Sequence, residues 1–250
     1  AIVNTSSLDS LVTDSAAGAT ALSTGHKTKN GVLAMIPSED GNSFQEAETL
    51  LEMAKKRGMM TGLVTTTQMT HATPAGFGAH APDRGMWDTI AKQYLTRTQP
   101  DVLLGGGAEH FLPSSEKGSK RIPRELVKQG LSQDDAENDQ GLLELARENG
   151  YQVLQTRDHL LGKIDPRVSR ILGLFSLSHL PYELDRTPES KTPRLSEMVR
   201  FALSRLEKSP MGFFLMVEGG KIDHAGHAGW DDFNKNGIKG PQDEEDMQQA

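Results

Sequence analysis

The chain has 250 residues, 36% hydrophobic and 24% charged, with a formal net charge of −7 and no cysteine. This is an ordinary globular composition, long enough for a sizeable core in one domain or two, and an acidic balance without a clear Lys/Arg cluster argues against a nucleic-acid surface. Disulfides and thiolate metal sites are excluded, so metal ligands must be His, Asp or Glu; no apolar run approaches the ~20 residues of a membrane span. Residues 1–5 lack the charged start and apolar centre of a signal peptide, and because the chain does not begin with Met a lost leader stays open.

The first strong element covers residues 11–21. A short apolar lead-in gives way at Thr13, Asp14 and Ser15 to a small-residue helix. All three are good N-caps; the serine is either simply a cap or, beside free backbone N–H groups at the positive end of the helix dipole, a residue placed to meet phosphate. Ser43 and Glu46 read as a capping box opening a helix with Phe44, Ala47, Leu50, Leu51 and Ala54 on one stripe, closed by Gly58. A β-branched, apolar strand follows over 59–67. The Pro/Gly-broken stretch 68–84 reads as a loop at its end, bringing His71, Thr73, His80 and Arg84 to one sheet edge.

Val102 to Leu104 read as a strand running into Gly105, Gly106 and Gly107, but no Gly-Lys-Ser/Thr follows and no G-x-G-x-x-G is present, so a nucleotide fold is rejected. A helix near 142–148 and a strand near 151–154 continue an α/β alternation. Between them a charged, Ser/Gly-rich stretch at about 108–140, densest from Pro113 to Gln140, reads as a surface excursion rather than a linker. Thr192 and Pro193 read as N-cap and first position of a helix that keeps Leu195, Met198, Ala202 and Leu206 at helical spacing.

The apolar run Phe213 to Val217 predicts a strand covered on both faces, with Glu218 at its carboxyl end, where open α/β sheets place their chemistry; the plain alternative is a solvated strand-end glutamate. If the chain turns helical from Ile222, Asp223 and His227 share one face and can reach a single cation, while His224 points about 100° away. Carboxylate plus imidazole suits zinc or a similar divalent ion, although an isolated Asp-x-x-x-His is commonly surface decoration. From Trp230 the chain turns acidic and apolar-poor (Asp231, Asp232, Asp243 to Asp246), a solvated face; Pro241 reads as a helix start interrupted at Ala250.

Taken together, four separated motifs resemble the alkaline phosphatase family. Val12 to Ala21 resembles its nucleophile segment, His71-Ala72-Thr73-Pro74 with Arg84 its magnesium and substrate-arginine segment, and Val217 through Asp223 and His224 to His227 its metal segment. Leu103 to Gly107 is a weaker match, and Leu180 to Arg186 is also familiar from that family. The resemblance implies an α/β three-layer sandwich with a mostly parallel central sheet flanked by helices, one partial domain over 1–250, incomplete at both termini. It implies that Ser15 attacks phosphorus and becomes phosphoserine, that Asp14 supports it, and that Arg84 grips two phosphate oxygens with its planar fork. Asp223 and His227 would bind one zinc and Ser15 the other, while Thr73 and Glu218 would bind magnesium. His71 stands where some members carry aspartate, which leaves the third metal's choice among magnesium, zinc and cobalt open.

The implied reaction is hydrolysis of small-molecule phosphate monoesters at a paired metal site. The family's further ligands, an upstream aspartate, a downstream Asp-His pair and another histidine, have no counterpart here. The resemblance therefore implies an internal piece of a longer enzyme, inactive alone, from a homodimeric parent that is periplasmic, secreted or surface-bound. The alternatives are a related sulfatase or phosphodiesterase, or a non-catalytic metal- or phosphate-binding piece.

Overall fold

The computed structural model describes residues 3–41, 43–165 and 167–234. Helix α1 (Ser15–Thr24) is capped by Asp14, whose carboxylate accepts from the Ala17 N–H, and it closes on Gly25 at φ 76, a left-handed position suited to glycine. Strands β1 (Met35–Pro37) and β2 (Phe44–Glu46) pair antiparallel as a separate ribbon. The capping box expected at Ser43 and Glu46 is therefore absent, because Phe44–Glu46 satisfies its backbone against β1. The helix starts later, as α2 (Leu50–Lys56), where Thr49 and Glu52 form the reciprocal box.

The chain continues through β3 (Met60–Gln68), α3 (Ala72–Gly78), α4 (Trp87–Gln93), β4 (Val102–Gly106), α5 (Pro123–Lys128) and α6 (Gln133–Glu137). Then come α7 (Leu143–Glu148), β5 (Tyr151–Leu154), α8 (Arg157–Leu161), β6 (Arg170–Leu174), α9 (Leu195–Leu206), β7 (Phe213–Glu218) and α10 (Lys221–Asn234). Five strands make one parallel sheet in the order β5-β6-β4-β3-β7. The pleat sends Leu63, Leu103 and Leu172 to one core, with α1 to α4 and α7, and Val64, Leu104 and Ile171 to the other, under α8 and α9. Helices on both faces explain why β3 and β4 read as unbroken apolar runs, whereas β7, at the sheet edge, is covered less than expected, with Met216 buried and Val217 exposed.

Three local expectations change. The stretch 68–84 is not all loop: α3 forms within it, with Pro74 in the first turn, where its missing N–H costs nothing. Small residues let α3 lie against α1; a Cβ on Gly76 would sit 2.8 Å from that of Ala19. Helix α9 begins at Leu195, not Pro193, because Arg186 takes the Thr192 carbonyl and hydroxyl, and Glu197 accepts the Arg194 N–H at 2.9 Å. Strand β6 was not expected at all. Residues 108–140 carry α5 and α6 and are tied to the body by buried Arg121, which forks onto Asp139 at 2.7 and 2.8 Å and reaches Asp88 at 3.3 Å. Asp231 and Asp232 fall in α10; the rest of the acidic tail lies outside the described residues.

One buried ion pair braces the site's surroundings. His80 Nδ1 meets the Ala34 carbonyl at 2.9 Å and Nε2 meets Glu52 Oε1 at 3.0 Å, so both nitrogens donate and the ring is an imidazolium. It holds Ala34 at φ 47, a left-handed value awkward for alanine. Burial alone would push His80 down, but Glu52 and the Ala34 carbonyl hold it above 6.5; Glu52, against its own burial, is pulled down to about 2 by His80 and Thr49. A raised histidine contributes stability fully below 6.5 and loses it as pH climbs through the folded value. His80→Leu should therefore cost roughly 3 kcal/mol in denaturant unfolding at about pH 6, and distinctly less at about pH 9. An equal cost at both pH values would show that the pair is not ionised as described.

Candidate active site

The carboxyl ends of β3, β4, β6 and β7 face one region, and α1 and α3 bring their N-termini to it. Asp14 organises this corner. Its Oδ1 accepts from Ala17 N–H at 2.9 Å, and its Oδ2 accepts from Gly31 N–H at 2.9 Å and from Arg84 Nη1 at 3.1 Å. Because Asp14 does the capping, Ser15 is left at the first helical position, half-buried, its hydroxyl without a hydrogen bond among the described residues. Of the two sequence readings of Ser15, the simple cap is thereby removed. The N–H groups of Ser15 and Ala16 stay unpaired among the described residues at the positive end of a ten-residue helix, a setting that favours an anion.

Arg84 Nη2 donates to His71 Nε2 at 3.4 Å. Burial first, then the nearby Arg84, His179 and His224, hold the His71 imidazole down at about 3. The guanidinium can only donate, so the neutral ring's proton lies on Nδ1, which is buried and has no hydrogen-bond partner among the described residues. Thr73, two residues on in α3, is half-buried. On the other side of β3, Glu218 lies opposite Thr65 in register; Thr65 Oγ1 donates to Glu218 Oε2 at 2.5 Å, and Thr67 Oγ1 lies 3.3 Å from the same oxygen. The strand-end glutamate is thus a half-buried group, not a solvated one. A Cβ on Gly220 would fall 2.3 Å from Thr67 Cγ2, so the glycine lets β7 close on β3 at this point.

Helix α10 starts at Lys221, and Asp223 and His227 do share a face, Oδ2 to Nε2 3.7 Å apart, with both side chains more than half exposed. His224 turns the other way, as its spacing predicts, and meets two imidazoles that sequence reasoning had not joined. Ring centroids are 4.5 Å apart for His179 and His224, 5.4 Å for His71 and His179, and 5.5 Å for His71 and His224. Burial, then His224 and Lys221, holds His179 down at about 4; burial, then Lys221, lowers His224 too. Lys221 sits with its ammonium 3.8 Å over the Tyr182 ring and 3.5 Å from His224 Nδ1. His179 was missed because β6 was missed. The run Ile171 to Phe175 was the available signal, since reading it as a strand places Ser176 to His179 at a carboxyl end.

The glycine triplet that ends β4 is a packing device rather than a phosphate loop. A Cβ on Gly106 would lie 2.0 Å from the Ser178 carbonyl oxygen, and Gly107 has φ 88. A groove of about 890 Å³ lies elsewhere, between α9 and β7, over Leu195, Val199, Leu203 and Val217; it holds none of Ser15, Arg84 or the three imidazoles. Chemistry, not size, marks the site. Among the described residues no three His, Asp or Glu side chains converge closely enough to enclose a metal ion. The donors present nevertheless suit a divalent cation as a partial set: the Asp223–His227 pair and Glu218.

A family model described as alkaline phosphatase matches residues 1–233. The repressible alkaline phosphatase of Saccharomyces cerevisiae is 41% identical over 237 residues, 89% of this chain and 39% of the yeast protein. The crystal structure of Thermus thermophilus alkaline phosphatase superimposes with a TM-score of 0.73 at 39% identity, covering 90% of this chain and 42% of that one. A histidine-to-aspartate mutant of the alkaline phosphatase TAB5, with Mg bound in the M3 site, is 28% identical with a TM-score of 0.70, covering 91% of this chain and 56% of that one. The chain thus spans about two-fifths of the length of the yeast and Thermus relatives. The chain belongs to the alkaline phosphatase family.

Proposed function

We propose that this chain carries the nucleophile and the phosphate clamp of a phosphomonoesterase that works through phosphoserine. The observation that carries the reading is the division of labour at the start of α1: Asp14 caps the helix and pins Arg84, leaving the Ser15 hydroxyl without a partner among the described residues. Ser15 Oγ attacks phosphorus, the serine–phosphorus ester forms as the bond to the leaving alkoxide breaks, and the alcohol departs with a proton. Water then cleaves the phosphoserine and releases inorganic phosphate. Arg84, oriented by Asp14 and His71, presents its remaining N–H groups to two phosphoryl oxygens, where transition-state charge accumulates. The dipole of α1 adds to the same effect.

Asp223 with His227 would hold one zinc, Ser15 would face the second, and Thr73, Glu218 and His71 would hold the magnesium; bound there, such ions lower the pKa of an attacking hydroxyl and stabilise a leaving oxygen. The family resemblance supports this assignment, as does the Mg of the related TAB5 mutant. The same resemblance supports a homodimer acting on small phosphate monoesters in the periplasm, in secretion or at the cell surface. Among the described residues no helix is long and apolar enough to cross a membrane.

In the complete parent protein, Ser15→Ala is expected to abolish covalent trapping of labelled phosphate while zinc and magnesium content stays largely intact. Label still trapped by the variant would remove Ser15 as the nucleophile. Arg84→Ala should weaken inhibition by inorganic phosphate and lower turnover by roughly ten- to a hundred-fold, far less than loss of Ser15. Lysine should rescue poorly, since it lacks the planar fork. An inhibition constant unmoved in the alanine variant would place Arg84 outside the site.

A further inference from the structure

Of the three imidazoles that meet here, His179 is the one whose position and protonation the fold over-determines. Its turn follows β6 and is fixed on every side. Gly107 N–H donates to the Ser178 carbonyl at 2.8 Å, Leu180 N–H donates to Thr66 O at 3.0 Å, and Ser176 Oγ lies 2.9 Å from the His179 carbonyl oxygen. The approach to β4 is possible only because position 106 has no side chain. A surface histidine needs none of this.

The ring is equally constrained. Gln68 N–H donates to His179 Nδ1 at 3.1 Å. A backbone N–H can only donate, so Nδ1 is bare and the single proton of a neutral ring lies on Nε2. That Nε2–H makes no hydrogen bond among the described residues, while the ring stands edge-on to His71 and His224. His71 is in turn joined to Arg84. The outcome is a neutral, oriented, unused donor within the cluster that Arg84 adjoins. Donors held ready in this way lose little reorganisation energy when they meet developing negative charge.

We propose that His179 is a specificity-determining residue of this site, its Nε2–H donating to a phosphoryl oxygen of the substrate and of inorganic phosphate. This rests on the phosphatase reading. Arg84 and His179 then approach the phosphoryl group from different elements, the loop after α3 and the turn after β6, and an anion lacking one oxygen in the right place loses one of the two.

The test is inhibition by inorganic phosphate, with KM and kcat for a chromogenic phosphate monoester, in the metal-loaded full-length protein. His179→Ala should raise the phosphate inhibition constant and KM on the order of ten-fold with a smaller fall in kcat, the signature of a lost hydrogen bond to a charged acceptor. His179→Gln should return both towards the parent values, because the two amide heteroatoms of glutamine can stand in for the accepting and donating ring nitrogens. His179→Phe keeps the ring volume without either nitrogen and should behave like alanine, which keeps the test open if the alanine variant does not fold. A parent protein that hydrolyses the ester but whose inhibition constant is unmoved in the alanine and phenylalanine variants overturns the role of His179 alone, as does a glutamine variant as impaired as phenylalanine. A parent protein that neither hydrolyses the ester nor binds inorganic phosphate overturns the phosphatase reading and His179 with it.

Discussion

The Asp14 carboxylate is shared by three stretches of chain: the first turn of α1, the Gly31 backbone and the Arg84 guanidinium. A cap alone contributes about 1 kcal/mol, whereas a half-buried cation deprived of its partner costs several times that. The ion pair is mostly sheltered, with side-chain exposures of 21% and 12%, so anchoring Arg84 is the larger of Asp14's two roles. The arrangement has a chemical corollary. By neutralising part of Arg84's charge in the resting site, Asp14 keeps the guanidinium from being drawn elsewhere, and by taking the cap it leaves Ser15 uncommitted.

Around that corner the protein keeps its imidazoles neutral. His71, His179 and His224 are each lowered first by burial, and Arg84 and Lys221 discourage further positive charge. Neutral imidazole nitrogens can donate or accept, and here neighbours set which does which: the Gln68 N–H leaves the His179 proton on Nε2, whereas the Arg84 guanidinium leaves the His71 proton on Nδ1. The Asp223–His227 pair stands apart on the exposed side of α10, so one helix presents two different sets of groups by facing two ways.

Much of this was legible in the sequence, and the failures have physical reasons. Strands buried on both faces announce themselves as apolar runs, and β3 and β4 were read that way, as was β7 although its Val217 is exposed; β6 offers the same run at the same length as β4 and was passed over. The spacing of Asp223 and His227 carried a helical face correctly. The capping signal at Ser43 was local chemistry overridden by strand pairing with β1, and the start at Thr192 was overridden by Arg186, a long-range partner that no window of neighbouring residues contains. The joining of His71, His179 and His224 was illegible for the same reason: it is made by sheet order, which places the ends of β3, β6 and β7 near each other although they lie far apart in the chain.

Gln68 shows how tightly these pieces are interlocked. Its backbone holds His179, while its side chain donates to Glu109, which is buried, and to Ser178. An apolar residue at 68 would leave Glu109 buried without that donor, and a bulkier one would push on Gly107, whose Cβ position is already 2.9 Å from that of Gln68. Changes here are consequently coupled unevenly: Gln68, Glu109 and Ser178 meet through their side chains, whereas His179, held by the Gln68 backbone N–H, keeps its donor with any residue but proline at 68.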